Sequence, residues 1–138
     1  MSFSLQQFLP YLLNQAAEQS SLAFQKIYKD RYGMLRTEWR VVFHLGIYGD
    51  LTAKDIGERA NIHKTKISRA VHKLEKRRFV SRVKVAKDRR SEIISLTAQG
   101  HIAYRDLLAE AEKYERNLLS ELSQQEVAQL RALLQRLI

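Results

Sequence analysis

Cysteine is absent from the 138 residues. That excludes disulfides, thiolate zinc sites and thiol-based redox sensing outright. No apolar run approaches the ~20 residues that cross a bilayer. No charged n-region, apolar h-region and cleavage pattern opens the chain, so a soluble, cytoplasmic protein with no membrane partner is expected. No P-loop, glycine-rich dinucleotide turn, cysteine nucleophile or credible triad occurs, and no enzymatic activity is expected. His44, His63, His72 and His101 show no HExxH or comparable close spacing, so neither a metal nor a cofactor is expected. Proline occurs once, at Pro10, where a missing N–H is best tolerated in the first turn of a helix.

What is present is positive charge, and it is localised. The chain carries 24 Lys plus Arg against 15 Asp plus Glu, a net of +9. Between Lys54 and Arg90 lie 14 basic and 4 acidic residues, a net of +10, while the remainder nets −1. A polyanion partner accounts for such a window, because each neutralised phosphate releases counterions. A solubilising surface is the plainer alternative, but solubility does not require the charge to be gathered in one stretch.

Apolar spacing predicts a mainly helical chain. Residues 3 to 30 read as helix, with a long helix starting near Leu9 and with Leu5 and Phe8 upstream in a short turn or arm. Thr37 is the expected N-cap of a second helix stopping near Gly46, and Trp39 within it reads first as core. Thr52-x-x-Asp55 resembles a capping box opening a two-turn helix that ends near Ala60. After a turn at Asn61-Ile62, the next helix runs from about His63 to Arg77. A strand at Phe79 to Val85, a tip at Ala86 to Ser91 and a return strand at Glu92 to Leu96 make a hairpin. Thr97 caps a long helix to about Leu119. Ser123-x-x-Glu126, a full capping box, opens the last helix, with Val127, Leu130, Leu134 and Leu137 expected inward.

The chemistry concentrates between His63 and Arg90. Ile67, Ala70, Val71 and Leu74 share one helix face. At about 100° per residue, Thr65, Ser68, Arg69, His72 and Lys76 fall opposite, flanked by Lys66 and Lys73, with His63 and Lys64 at the tip. Hydroxyl and imidazole groups suit base edges, and the long cations suit guanine or phosphate. A generic solvated face mixes signs, yet here the one acid is Glu75. The hairpin tip carries Lys87, Asp88, Arg89 and Arg90, a group suited to a narrow minor groove. Asp88 is the exception: it either orients Arg90, two positions on, or merely stabilises the turn. Helix-turn-helix followed by a hairpin is the order of a winged-helix module, spanning roughly 37–97. The segments 1–36 and 98–138 then supply broad apolar helical faces that so small a module cannot bury, and a two-fold homodimer is expected from them.

Three stretches resemble the MarR family of winged-helix regulators: TEWRVV, then IGERANIHKTKISRAVHKLEKRRFV, then KDRRSEIISLTAQG with its D-x-R followed by L-T-x-x-G. The resemblance covers nearly the whole chain. It implies a single MarR-type domain over 1–138: a winged helix-turn-helix core flanked by N- and C-terminal dimerisation helices. It further implies double-stranded DNA as partner, as a pseudo-palindromic operator. Arg90 would be the minor-groove arginine, Asp88 its orienter, and Thr65, Lys66, Ser68 and Arg69 the major-groove and backbone readers. Many members are repressors relieved by a small phenolic or anionic effector. Two departures stand out: His63 replaces a small capping residue, and the thiol of the peroxide-sensing branch is missing.

For an effector, Tyr11, Tyr28, Trp39, Arg40 and His44 are candidates to line a cleft between the first, second and fifth helices. Aromatic residues at helical spacing also read as core. The expectation is thus a sequence-specific DNA-binding regulator, a dimeric repressor modulated by a small aromatic or anionic ligand. A low-specificity architectural DNA-binding protein is the alternative.

Overall fold

A 3-10 turn at Leu5–Gln7 hands the chain, through extended Phe8, to α1 (Leu9–Tyr32), with Pro10 in its first turn as expected. Gly33 ends α1 in the left-handed region, φ 62°, where its N–H bonds to the Lys29 carbonyl at 2.8 Å. That conformation favours glycine because a Cβ is penalised there. The computed structural model describes residues 2–85 and 88–138, positions 88–90 by their backbone alone. Lys87 and the side chains of Asp88, Arg89 and Arg90 therefore lie outside the described residues.

The second helix, α2 (Arg36–Tyr48), begins before the expected Thr37 cap and runs past Gly46. Both shifts have a physical cause. The Glu38 carboxylate, 4% exposed, accepts the Leu35 N–H, so the end is capped from inside the helix and Thr37 falls within its first turn. Gly46 does not stop the helix; it makes room for the Tyr104 ring, which a Cβ there would meet at 2.4 Å. Gly49, φ 85°, ends it.

The chain then makes β1 (Leu51–Thr52), which the sequence reading did not foresee, and α3 (Ala53–Ala60). The Thr52–Asp55 capping box is present: Asp55 N–H to Thr52 Oγ1 at 3.1 Å, and Thr52 N–H to Asp55 Oδ2 at 3.3 Å. Asn61 closes α3 with φ 55°. α4 (Lys64–Lys76) follows, then β2 (Val80–Val85) and β3 (Asp88–Leu96). The return strand thus starts at Asp88, where the tip had been expected to run to Ser91. A register irregularity at Lys84/Val85 accompanies the change. The sheet is three-stranded and antiparallel, order β1-β3-β2, with Leu51 opposite Ile94 and Val83 opposite Ile93.

The core gathers on α2. Val41, Val42 and Leu45 lie under Met34, Ile56, Ile67, Val71, Leu74, Ile94 and Leu107, all 3% exposed or less. α5 (Ala98–Leu118) is bolted to this unit through one threonine. Thr97 Oγ1 donates to the Arg78 and Phe79 carbonyls at 2.6 and 3.1 Å and accepts the Gly100 N–H at 3.0 Å, while the Thr97 N–H donates to the Phe79 carbonyl at 3.0 Å. A Cβ on Gly100 would stand 2.0 Å from the Phe79 carbonyl oxygen. L-T-x-x-G is therefore a joint between the start of α5 and the turn after α4. On the far side Tyr32 donates to Asp106 at 2.6 Å and Arg31 to the same carboxylate at 3.0 Å, tying α1 to α5.

α6 (Gln124–Leu137) opens on the expected Ser123–Glu126 box, with Glu126 N–H to Ser123 Oγ at 3.1 Å. Val127 is half-buried, but the leucines expected inward are not. Leu130, Leu134 and Leu137 are exposed and no residue of α6 is buried. Leu9, Leu12, Leu13 and Leu22 of α1 are likewise exposed. Among the described residues, no element covers these faces.

Gly100→Ala is expected to destabilise the fold by roughly 1–3 kcal/mol, since the obstructing atom is backbone and cannot rotate away. Urea unfolding checks this; an unchanged midpoint would contradict the joint.

Candidate nucleic-acid interface

The exposed face of α4 follows from its buried one. With Ile67, Ala70, Val71 and Leu74 packed inward, Lys64, Thr65, Lys66, Ser68, Arg69, His72 and Lys73 are all exposed. No acid stands in the first turn, where Lys64 and Lys66 sit instead. Cations at a helix N-terminus oppose the macrodipole. Their placement costs the free helix stability and is suited to an external anion.

His63 is the N-cap of α4. Its Nδ1 accepts the Thr65 N–H at 3.1 Å. The imidazole therefore does the work of the small capping residue whose absence the sequence showed. With Nδ1 accepting, the neutral ring carries its proton on Nε2, a donor.

The hairpin is braced against α4 by the acid that interrupts its basic face. Arg82 on β2 meets Glu75 with Nη2–Oε1 at 2.7 Å and Nε–Oε2 at 3.1 Å, and Glu92 on β3 lies 3.4 Å from Nε. The forked geometry fixes orientation as well as distance. The Arg82 hydrogen bonds hold Glu75 below the usual carboxylate range despite some desolvation. A groove of about 160 Å³ between α3, α4 and the sheet is lined by Lys54, Lys64, Ser68 and Arg82 among others. Of these, Lys54 and Arg82 were not singled out from sequence, because neither lies on the α4 face.

A second feature lies on the other side of α2. A cleft of about 500 Å³ opens between α1, α2 and α5, lined by Phe24, Tyr28, Arg36, Trp39, Arg40, Phe43 and Tyr114 among others. Edge-on ring contacts build its wall: Phe24–Trp39 at 5.3 Å and Trp39–Phe43 at 4.9 Å between centroids. Tyr114 donates to the Ser20 carbonyl at 2.5 Å. Burial pushes the Tyr28 hydroxyl above the usual tyrosine range, partly offset by a hydrogen bond with Trp39 and by the Arg36 charge. Burial also pulls Arg40 below the usual arginine range, and the Arg36 charge adds to this.

Of the five effector candidates, the fold brings Tyr28, Trp39 and Arg40 together in this cleft and leaves two outside its lining. Tyr11 lies nearer the start of α1 and accepts from Gln15 at 3.0 Å. His44 turns its Nδ1 to the Arg40 carbonyl at 2.6 Å and its ring toward Tyr48. Arg36, Phe24 and Tyr114 were missed. Setting the α2 cap at Thr37 had placed Arg36 outside the helix, which hid its position one turn before Arg40. Among the described residues, no group of three or more His, Cys, Asp or Glu side chains is arranged to hold a metal ion.

A model of the MarR family matches residues 32–91. The homoprotocatechuate degradative operon repressor of Escherichia coli is 28% identical over 130 residues, 94% of this chain and 87% of that protein. A MarR/EmrR family transcriptional regulator from Acinetobacter sp. ADP1 superimposes with a TM-score of 0.85 at 27% identity, over 98% of this chain and 95% of that one. NadR, solved in complex with 4-hydroxyphenylacetate, superimposes with a TM-score of 0.78 at 25% identity, over 99% and 96%.

The segment 32–91 is similar to the MarR family, and nearly the whole chain superimposes on a MarR/EmrR family regulator. The chain is a DNA-binding transcriptional regulator, and its relatives are regulators rather than enzymes. The matched segment holds the helix-turn-helix and most of the wing, whereas the cleft draws its α1 and α5 walls from outside it. Among the described residues, no helix is long and apolar enough to cross a membrane.

The brace predicts a pH effect. A carboxylate held below its unfolded value stabilises fully above about pH 4.3, and that contribution is lost as pH falls through the folded value. Glu75 and Arg82 are 37% and 31% exposed, so screening limits the effect. Glu75→Gln is expected to cost about 1 kcal/mol or less at neutral pH and to flatten the acid limb of the stability profile. Urea unfolding between about pH 3 and 7 checks it; an acid limb identical to wild type would contradict the brace.

Proposed function

We propose that this protein is a homodimeric repressor that reads a pseudo-palindromic operator and releases it when a small aromatic or anionic effector occupies the cleft. The observation that carries the DNA reading is the exposed face of α4, with lysines in the first turn where a lone helix would favour acids. In this reading Thr65, Ser68, Arg69 and His72 meet base edges, and Lys64, Lys66 and Lys73 meet phosphates. His63 offers its Nε2–H to an acceptor on the duplex. Lys87, Arg89 and Arg90 reach a flanking minor groove with Asp88 as orienter, a role carried over from the wing motif.

The exposed leucines of α1 and α6 support the dimer, because helical apolar faces left open in this way seek cover in an interface. Two-fold symmetry would present two α4 helices to successive major grooves. The effector reading is supported by the ring-lined cleft with its two arginines. The 4-hydroxyphenylacetate bound to NadR and the operon named for the Escherichia coli repressor point to the same ligand chemistry. A regulator of this kind acts in the cytoplasm, where its operator lies.

Selecting bound fragments from genomic DNA supplies the operator. On that duplex Arg90→Ala is expected to weaken binding by roughly 1–3 kcal/mol, measured by fluorescence anisotropy. Undiminished binding by a folded variant would remove the wing from the interface. The wild-type preference for operator over random duplex is expected to be about a thousandfold or more; a ratio near unity would favour an architectural DNA binder.

A further inference from the structure

Arg40 belongs to two structures at once. Its side chain lines the cleft, one helical turn from Arg36, and its Nη2 donates to the Ala60 carbonyl at 2.9 Å. Ala60 is the last residue of α3. Its carbonyl is one of those that a helix end leaves without an intrahelical donor, and a guanidinium there also complements the negative end of the dipole. The chain leaves α3 through Asn61 in the left-handed region, and the Asn61 and Ile62 N–H groups both fold back on the Gly57 carbonyl. Two residues later α4 begins. Arg40 thus holds the pivot between the two helices of the helix-turn-helix from within the cleft.

The cleft end of this contact is electrostatically incomplete. Among the described residues neither Arg36 nor Arg40 makes an ion pair. Glu115 also lines the cleft, but its carboxylate is engaged by Arg131 of α6. Two like charges one turn apart, one of them half-buried, repel each other and favour a shared anion. An anion drawn between them competes with a neutral carbonyl for Arg40, and charge-assisted pairing is about twice as strong.

We infer that Arg40 is the positioning residue that couples the cleft to the DNA-reading helices: a carboxylate bound by Arg36 and Arg40 withdraws the guanidinium from the Ala60 carbonyl and frees the α3–α4 pivot. This rests on the reading of the cleft as an effector site and adds its route of communication. Arg36 contributes affinity for the anion, and Arg40 contributes affinity and coupling together. Linkage then requires that operator binding, which holds the pivot in place, weaken the anion's binding by the same factor.

Trp39 is the one tryptophan of the chain and lines the cleft, so its fluorescence reports occupancy directly. The probe is 4-hydroxybenzoate, and the readout is the ratio of operator Kd with saturating probe to that without. In wild type the probe is expected to quench Trp39 and raise operator Kd by at least about tenfold. Arg36→Gln should raise the probe concentration needed for quenching yet keep the ratio at saturation. Arg40→Gln should still quench at higher probe concentration, with the ratio falling below about twofold. A ratio retained in Arg40→Gln overturns the coupling while leaving the cleft reading intact, and so does quenching in wild type without a change in operator Kd. Absence of quenching in wild type overturns the cleft reading and the coupling with it. Should Arg40→Gln not fold or not bind the probe, hydrogen exchange on wild type decides. The Asn61 and Ile62 amides are expected to exchange faster with probe bound, and unchanged exchange overturns the proposal.

Discussion

The burial of one face of α4 against α2 is the constraint on which the rest depends. A helix of 13 residues is marginal alone in water, and its basic first turn makes it less stable still. Ile67, Ala70, Val71 and Leu74 offset that by entering the same core as Val41, Val42 and Leu45. Once those four positions are inside, helical periodicity leaves no choice about the other face. The cations are held outward together, as a surface, by apolar residues that never meet the ligand. The local strain of gathering like charges is tolerated because packing elsewhere fixes the helix.

Two joints then set the geometry around that helix. At its C-terminal end Arg82 and Glu75 brace the hairpin, and Thr97 clasps the carbonyls of Arg78 and Phe79, Arg78 being in the left-handed region at φ 68°. At its N-terminal end His63 caps the first turn and Arg40 holds the close of α3. The first pair is built of contacts that nothing in the cleft disturbs. The second includes a guanidinium that the cleft itself presents. The joint between the wing and α4 is thus closed on itself, whereas the joint between α3 and α4 includes a side chain that also lines the cleft.

Much of this was legible in the residues alone, for identifiable reasons. Capping boxes at Thr52 and Ser123 announce helix starts because their side chains satisfy backbone groups locally, and both form. The apolar stripe of α4 and the charge opposite it share one short period, so both faces could be assigned. What was not legible depended on distant partners. Glu38 caps α2 through its buried carboxylate, and Gly46 is demanded by Tyr104, nearly sixty residues on. β1 exists because β3 offers it an edge. Arg36, Phe24 and Tyr114 enter the cleft only when three helices are assembled, whereas Tyr11 and His44, of suitable chemistry, fall beyond its lining. The inward assignment of the α6 leucines went wrong for the same reason: a helical stripe shows that a face seeks cover and is silent on which chain provides it.

The cations of α4 and the hairpin are proposed to form one surface lying against a duplex. The most direct measurement of this is the salt dependence of operator affinity, for wild type and for a variant carrying both Lys66→Ala and Arg69→Ala. A steep fall is expected for wild type, as for about six or more phosphate contacts per bound complex, and a distinctly shallower slope for the variant. A nearly flat wild-type dependence, or a slope the two substitutions leave untouched, would contradict it.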